Sequence, residues 1–128
     1  MAFASAFASP VGTSVPVTEV ERWFQRLTVY AFTSRNEGFG LTLIEAMSVG
    51  AALVATRAGA AEIAVEDGVT GTLVPTGDAK ALADAIEPLM RDPDVASAMG
   101  ARGRQRVLDK FSLDAEARNI AAVYRKLI

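Results

Sequence analysis

Two glutamates on either side of a glycine-containing bend are the residues best placed to do chemistry. Glu37 and Glu45 are separated by seven residues, and Gly38 and Gly40 lie between them, with Phe39 in the middle of the bend. Carboxylates accept hydrogen bonds from hydroxyl groups, and glycines leave the backbone open to a ligand because they carry no side chain. The pattern therefore predicts a site for a molecule with hydroxyl groups at two places.

The elements around the bend indicate which chemical group of the ligand lies between its two sets of hydroxyl groups. The β-prone run 28–33 precedes the bend, and a helical pattern follows over 41–49 and stops at Gly50. A helix N-terminus carries unpaired N–H groups and about half a positive charge, so it attracts phosphate. A loop acid, a glycine-lined helix start and an acid one turn further on suit a nucleotide-sugar, in which a diphosphate joins a sugar to a ribose.

Each of these residues also has a purely structural interpretation. Thr42 and Glu45 fit a capping box, in which Glu45 would only close the helix start. Gly38 and Gly40 would then serve turn geometry, and Glu37 would be a solvated loop acid. For a single residue the structural role is favoured, but for the whole set we favour binding, because structure alone does not require these residues in this order.

The rest of the chain is predicted to form alternating helices and strands. Further strands are predicted at 51–56 and 71–75, and helices at 18–26, at 60–65, from Asp78, at 94–109 and from Ser112 onward. This alternation predicts an α/β fold, a partial Rossmann-like parallel sheet of about three strands with flanking helices. Ligands bind such sheets at the carboxyl ends of the strands, where the bend is expected.

Several side chains carry expectations about packing. Trp23 is predicted to pack in the core, and Asp78 and Ser112 are predicted to cap the helices that follow them. Pro88 is expected to kink that helix or to leave its end irregular. Gly100 and Gly103 are expected to weaken the helix that contains them.

The last two helices carry basic and apolar side chains. A solvated face is the default interpretation of the basic set, with an anionic membrane surface or acceptor as the alternative. The basic set is Arg102, Arg104, Arg106 and Lys110. The predicted apolar face of the final helix is formed by Ala117, Ile120, Ala121, Tyr124 and Leu127.

Composition limits the function classes. With 128 residues, 51% of them hydrophobic and 22% charged, the chain has room for one globular domain with a modest core. The net charge of −2 makes nucleic acid an unfavoured partner. The absence of cysteine and histidine excludes disulfides, thiolate metal sites and Ser-His-Asp or Cys-His catalysis within this chain. Residues 1–16, which contain no Lys or Arg, are interpreted as a disordered leader or as a segment derived from cloning.

The residues from Glu37 to Gly50 resemble the E-x7-E signature of retaining glycosyltransferases of the GT-B fold, family 4. The resemblance covers roughly 17–128. Its later motifs are Leu53-Val54-Ala55-Thr56, Gly59, Glu62-Ile63, Asp67-Gly68, Thr70-Gly71, Leu73-Val74-Pro75, Gly77-Asp78, Phe111-Ser112 and Val123-Tyr124. Trp23 and residues 27–30 and 35–42 further resemble lipopolysaccharide core mannosyltransferases of α-proteobacterial type.

The resemblance implies a role for each matched residue. Glu37 would hold hydroxyls of the donor sugar and act as the catalytic residue, and Glu45 would hold the ribose. The amides around Phe39 to Leu41 would hold the diphosphate. The implied donor-binding set is Glu37, Gly38, Phe39, Gly40, Leu41 and Glu45. The implied reaction is transfer of mannose from GDP-mannose with retention, without a metal ion or another cofactor, in lipopolysaccharide or other cell-envelope glycan synthesis.

A GT-B enzyme has two domains, and residues 17–128 resemble only the later half of the second one. The N-terminal acceptor domain, and the upstream Arg and Lys that clamp the diphosphate in that family, have no counterpart here. We therefore expect this chain to supply donor binding only, to bind nucleotide weakly and to be inactive alone. A non-catalytic nucleotide-binding or interaction module, and an inactive truncated product, are the alternatives.

The partners expected from this interpretation are a nucleotide-sugar, the missing N-terminal domain and, in the full-length enzyme, a glycolipid or glycan acceptor. A sheet of three strands leaves an edge bare, and bare edges pair with other chains, so a homo-oligomer or soluble aggregate is expected, or else a need for the missing half. The expected location is the cytoplasm, with peripheral association at the inner face of the bacterial membrane.

Overall fold

A computed structural model describes residues 20–36, 38 and 40–127. Three strands alternate with three helices, and three further helices follow. In chain order the elements are α1 (Val20–Gln25), β1 (Val29–Phe32), α2 (Leu41–Ser48), β2 (Ala52–Thr56), α3 (Ala60–Ala64), β3 (Thr72–Val74), α4 (Ala79–Arg91), α5 (Pro93–Lys110) and α6 (Leu113–Leu127). The expectations for residues 1–16 and for a helix start at Thr18 lie outside the described residues.

The strands form a parallel sheet in the order β1-β2-β3. Val29 lies opposite Ala52 in the first pair, and Val54 lies opposite Thr72 in the second. Every residue of β2 is buried, as expected for a central strand covered on both faces. The predicted fold class, a parallel sheet of about three strands with flanking helices, is confirmed.

The two faces of the sheet bury separate hydrophobic clusters. On one face, Leu53 of β2 belongs to the cluster that contains Leu43 and Met47 of α2, all fully buried. On the other face, Val54 clusters with Leu89 of α4. Because successive side chains of a strand point to opposite faces, adjacent residues of β2 hold helices on both sides.

Helix α5 runs past the amino ends of β2 and β3. A Cβ atom at Gly100 would lie 1.9 Å from the Gly50 carbonyl oxygen, and one at Gly103 would lie 3.3 Å from the Thr70 carbonyl oxygen. The helix is continuous over both glycines, starting at Pro93. The two glycines therefore permit close backbone approach, a role that outweighs their low helix propensity.

Side chains on α5 also bind backbone at the amino side of the sheet. The Arg106 guanidinium donates to the carbonyls of Ala64 at 2.6 Å and Ile63 at 3.2 Å, at the end of α3. Arg102 donates to the Val69 carbonyl at 2.8 Å. The solvated-face interpretation is therefore wrong for Arg106, which is half-buried, whereas Arg102 is exposed and also binds a carbonyl distant in sequence.

The predicted caps of α4 and α6 are confirmed. The Asp78 carboxylate accepts from the Ala81 amide at 2.9 Å, and the Ser112 hydroxyl accepts from the Ala115 amide at 3.2 Å. Helix α4 continues past Pro88 for three residues to Arg91, so the expected irregular end is wrong.

Two expectations about apolar packing are wrong within the described residues. Trp23 is 36% exposed, and the Arg26 guanidinium lies 5.6 Å from the centre of its ring, while neighbouring Phe24 is buried instead. On α6, Ile120 is 51% exposed and Tyr124 is 63% exposed. Periodicity identified an apolar face on α6, but the described part of the chain does not cover it. Among the described residues, no helix combines the length and the apolar character needed to cross a membrane.

Candidate functional site at the carboxyl edge of the sheet

The site begins where β1 passes through residues 33–40 into α2. Gly40 is the N-cap of α2 and adopts φ 65° and ψ 44°, a left-handed conformation that side chains disfavour. Its carbonyl accepts from the amides of Leu43 at 3.0 Å and Ile44 at 3.2 Å. The helix therefore starts at Leu41, and the alternative interpretation of Thr42 and Glu45 as a capping box is wrong because Thr42 lies inside the first turn.

Glu45 therefore does not close the start of α2. Its side chain is exposed one turn into α2, and among the described residues its carboxylate makes no hydrogen bond or ion pair. Leu41, at the first position of the helix, is 61% exposed. The described part of the site thus presents an unpaired carboxylate beside an open helix start, which suits recognition of an anionic group next to hydroxyl groups.

The remaining predicted site residues are placed only in part. Gly38 is exposed, and a Cβ atom there would meet no atom of the described residues within 4 Å, so the described structure leaves space near its backbone open. Glu37 and Phe39 lie outside the described residues. The pairing of Glu37 with Glu45 across the bend therefore stays a prediction.

The end of β2 is tied directly to the loop that follows β1. Thr56 is buried, and its hydroxyl donates to the Ser34 carbonyl at 2.5 Å. This contact joins residues 22 positions apart in the chain. Sequence reasoning missed it. The available signal was a hydroxyl at the carboxyl end of an otherwise apolar buried strand.

An ion pair fixes the next loop at the same edge. The Arg57 guanidinium binds the Asp67 carboxylate at 2.7 Å, and the same carboxylate accepts from the Leu73 amide at 2.9 Å. The hydrogen bond from the Leu73 N–H lowers the pKa of Asp67 below its usual range. Partial burial opposes this shift, and the Arg57 guanidinium adds to it. Arg57 is therefore engaged within the fold by Asp67.

A cleft of about 280 Å³ opens at this edge of the sheet. Thr33, Arg35 and Thr56 contribute the strand side of its wall, and residues 77–79 with Leu82 contribute the α4 side. The sequence identified the Gly77–Asp78 helix start, but not that it faces the carboxyl ends of β1 and β2. The strand ends and the start of α4 therefore line one cleft at the carboxyl edge of the sheet.

Comparison with known proteins assigns this arrangement to a family. Residues 11–106 match the family model described as glycosyl transferases group 1. The chain belongs to the group 1 glycosyltransferases. This confirms the family resemblance seen in the E-x7-E region and the motifs that follow it.

Individual relatives of the group 1 glycosyltransferases agree with this placement. The chain is 44% identical to the lipopolysaccharide core biosynthesis mannosyltransferase LpcC of Rhizobium leguminosarum bv. viciae over 112 residues, which is 88% of this chain and 32% of that protein. It is similar in structure to the C-terminal domain of a group 1 glycosyltransferase, LpcC, from Francisella tularensis. That match has a TM-score of 0.73 and 29% identity, and covers 80% of this chain and 53% of the other.

A ligand-bound neighbour extends the likeness. Anabaena HepE in complex with UDP-glucose matches with a TM-score of 0.74 and 27% identity, over 84% of this chain and 30% of that one. The chain spans about a quarter to a third of the length of the curated relatives it matches, 32% of LpcC from Rhizobium leguminosarum and 26% of a D-inositol 3-phosphate glycosyltransferase from Corynebacterium urealyticum. It therefore corresponds to part of a C-terminal domain in the GT-B glycosyltransferases.

Proposed function

We propose that this chain forms the donor-binding part of a hexosyltransferase that transfers mannose, with retention, from GDP-mannose during lipopolysaccharide or other cell-envelope glycan synthesis. The observation that carries the proposal is the state of Glu45. Its carboxylate is exposed and unpaired among the described residues, beside a helix start that Gly40 closes without it. A carboxylate in that state is available to a ligand.

The proposed binding mode follows from the charges at the start of α2. The amides at the start of α2 would hold the diphosphate, because a helix N-terminus favours negative charge. Glu45 would accept hydrogen bonds from the ribose hydroxyls, and Glu37 would hold the hydroxyls of the transferred sugar as the catalytic residue. Gly38 and Phe39 would form the loop side of the site, and Leu41 the helix side.

In this proposal the negative charge that develops on the leaving diphosphate is stabilised by the helix dipole and by protein charges, with no metal ion or cofactor. Such stabilisation is effective because the donors are already oriented before the reaction. The acceptor, a glycolipid or glycan, would bind in the complete enzyme together with an N-terminal domain. The chain alone would bind nucleotide weakly without turnover, in the cytoplasm or peripherally at the inner face of the membrane.

The choice of donor is the finest part of the proposal. Likeness to a mannosyltransferase supports mannose as the transferred sugar, whereas likeness to HepE, solved with UDP-glucose, supports a uridine donor. The test is a calorimetric and thermal-shift titration of the full chain with GDP, UDP, ADP and GDP-mannose. A ligand that binds only the folded state raises the melting temperature even when its affinity is weak, if its concentration is high enough.

A pair of variants makes the titration specific to the site. Glu45→Ala should weaken nucleotide binding by about tenfold or more, since it removes a charged acceptor of hydrogen bonds. Its melting temperature should be unchanged because the side chain is exposed and unpaired. The matched control is Glu116→Ala, which removes another exposed helical glutamate, on α6. It should bind nucleotide like the wild type.

The outcomes separate the candidate functions. Selective stabilisation by one nucleotide would support the proposal and identify the base. A cooperative melt that no nucleotide shifts would refute donor binding and favour an interaction module or an inactive product. Equal binding by the wild type and Glu45→Ala would remove Glu45 from the site.

A further inference from the structure

We propose that Thr56 is a positioning residue for the donor site. Its hydroxyl fixes the course of the loop that carries Glu37, although Thr56 itself lies on a different strand. The inference rests on the proposed function, because it concerns the same site, and it adds a residue to which no role in donor binding has been given.

The first argument is the contact itself. Thr56 is 5% exposed, and its hydroxyl lies 2.5 Å from the Ser34 carbonyl oxygen and 3.4 Å from that of Phe32. A buried hydroxyl must find an acceptor, since an unpaired polar group in the interior is costly. Here the acceptors belong to the end of β1 and to the loop after it, not to β2.

The second argument is the rigidity of the residue that makes the contact. Thr56 ends β2, the central strand, and its backbone pairs with Val74 of β3. The preceding residue, Ala55, pairs with Phe32 of β1. The pairing with β1 and β3 fixes the backbone at Thr56, so its side chain can hold the loop in a constant position.

The third argument is the position of the acceptor along the loop. Ser34 is the second residue after β1, and Glu37 follows it by three residues, which extend at most about 10 Å. The far end of the loop is fixed by buried Gly40 at the start of α2. The hydroxyl therefore fixes the near end of the loop at Ser34, and Gly40 fixes its far end.

The residue type supports the same conclusion. The other residues of β2 are Ala, Leu, Val and Ala, all apolar and buried. Valine has the shape of threonine and suits a buried parallel strand better, so strand packing alone gives no reason for a hydroxyl. The hydroxyl serves the loop.

The test compares hydroxyl and non-hydroxyl residues at position 56 in the full chain. Thr56→Val should raise the dissociation constant for GDP or UDP by about threefold to tenfold, the equivalent of one internal hydrogen bond. Thr56→Ser, which keeps the hydroxyl, should stay within about twofold of the wild type. Thr56→Ala differs from Thr56→Ser only by the hydroxyl, so this pair decides the matter if Thr56→Val fails to fold.

A second buried threonine provides the matched control. Thr70 is 4% exposed, and its hydroxyl accepts from the Glu66 amide at 2.8 Å, on the amino side of β3. Thr70→Val should lower stability as Thr56→Val does, yet leave the nucleotide dissociation constant unchanged. If both variants weakened nucleotide binding equally, the effect of Thr56→Val would be a consequence of lower overall stability, and the inference would be overturned.

A ligand-free measurement separates this inference from the proposed function. The amides of Leu43 and Ile44 bond to the Gly40 carbonyl, so their hydrogen exchange reports on the far end of the loop and the first turn of α2. Exchange should be faster in Thr56→Val than in Thr56→Ser or Thr70→Val. Unchanged exchange in Thr56→Val would overturn the inference. If the wild type binds neither nucleotide, the proposed function fails, and the exchange data alone decide whether Thr56 holds the loop.

Discussion

The contact between α5 and the α2–β2 junction gives the sharpest test of the fold. In Gly100→Ala the new methyl carbon would lie 1.9 Å from the Gly50 carbonyl oxygen and 2.7 Å from its carbonyl carbon. Real Cβ atoms essentially never approach closer than 3.0 Å, so the two segments must separate by roughly 1 Å. Both sides of the contact are backbone, and no rotamer change can relieve it.

The magnitude follows from two opposing effects. Alanine is favoured over glycine inside a helix by about 1 kcal/mol, which stabilises the variant. Overpacking a close-packed interior costs about 1–3 kcal/mol and more when backbone must move. We expect the second effect to win, so that Gly100→Ala loses about 2 kcal/mol of unfolding free energy, or about 8 °C in melting temperature for a chain of this size.

Gly103→Ala is the matched control, because it makes the same change three residues further along the same helix. Its Cβ would lie 3.3 Å from the Thr70 carbonyl oxygen, a contact that a shift of a few tenths of an ångström relieves. The helix gain offsets that cost, so we expect stability within about 1 kcal/mol of the wild type.

Urea unfolding followed by circular dichroism measures the stability of both variants. The values are comparable if the dependence of the unfolding free energy on urea concentration is the same in each. A Gly100→Ala chain as stable as the wild type would refute the close approach of α5 to Gly50. Equal losses in both variants would show that the helix, rather than the contact, sets the cost.

Three further predictions follow from particular contacts. Arg106→Ala should cost about 1–3 kcal/mol of unfolding free energy, because it leaves two carbonyls at the end of α3 without their charged donor. Arg102→Ala removes one exposed hydrogen bond and should cost less. Urea unfolding measures both variants. The pKa of Asp67 is lowered in the folded state, so the stability it contributes is present above its ordinary value of 3.8 and is lost as the pH falls below it. The stability difference between the wild type and Asp67→Asn should therefore shrink on acidification, and a difference that is constant from pH 7 to pH 2.5 would contradict this. Finally, β1 pairs only with β2 among the described residues, so sedimentation should show association that increases with concentration, and a monomer at every concentration would contradict pairing through the free edge.

Local signals were enough to predict the order of elements and two of the caps. The apolar run before the bend, the helical spacing after it and the continuous hydrophobic character of β2 identified the parallel sheet, because each depends on residues close in the chain. Asp78 and Ser112 cap helices whose amides lie three residues away, so their roles are visible from spacing. The family resemblance, which depends on the order of short motifs, was also available from the sequence.

The tertiary structure decided which of several local interpretations holds. Thr42 and Glu45 have the spacing of a capping box, yet Gly40, in a left-handed conformation, is the N-cap and the helix begins at Leu41. Trp23 has the spacing of a core residue, but Phe24 fills that place, and spacing cannot show which neighbour meets the sheet.

What the sequence determined by itself is the α/β order and the family, since these depend on local pattern, while the pairing of its two carboxylates across the bend stays a prediction. Only the tertiary structure showed that Gly100 contacts Gly50, that Arg106 binds the end of α3 and that Thr56 holds the loop after β1. Each of these contacts joins residues more than twenty positions apart, and no local periodicity encodes a partner at such a distance. They exist because parallel strands bring their carboxyl ends to one edge and their amino ends to the other, and helix α5 runs past the amino ends of two of them.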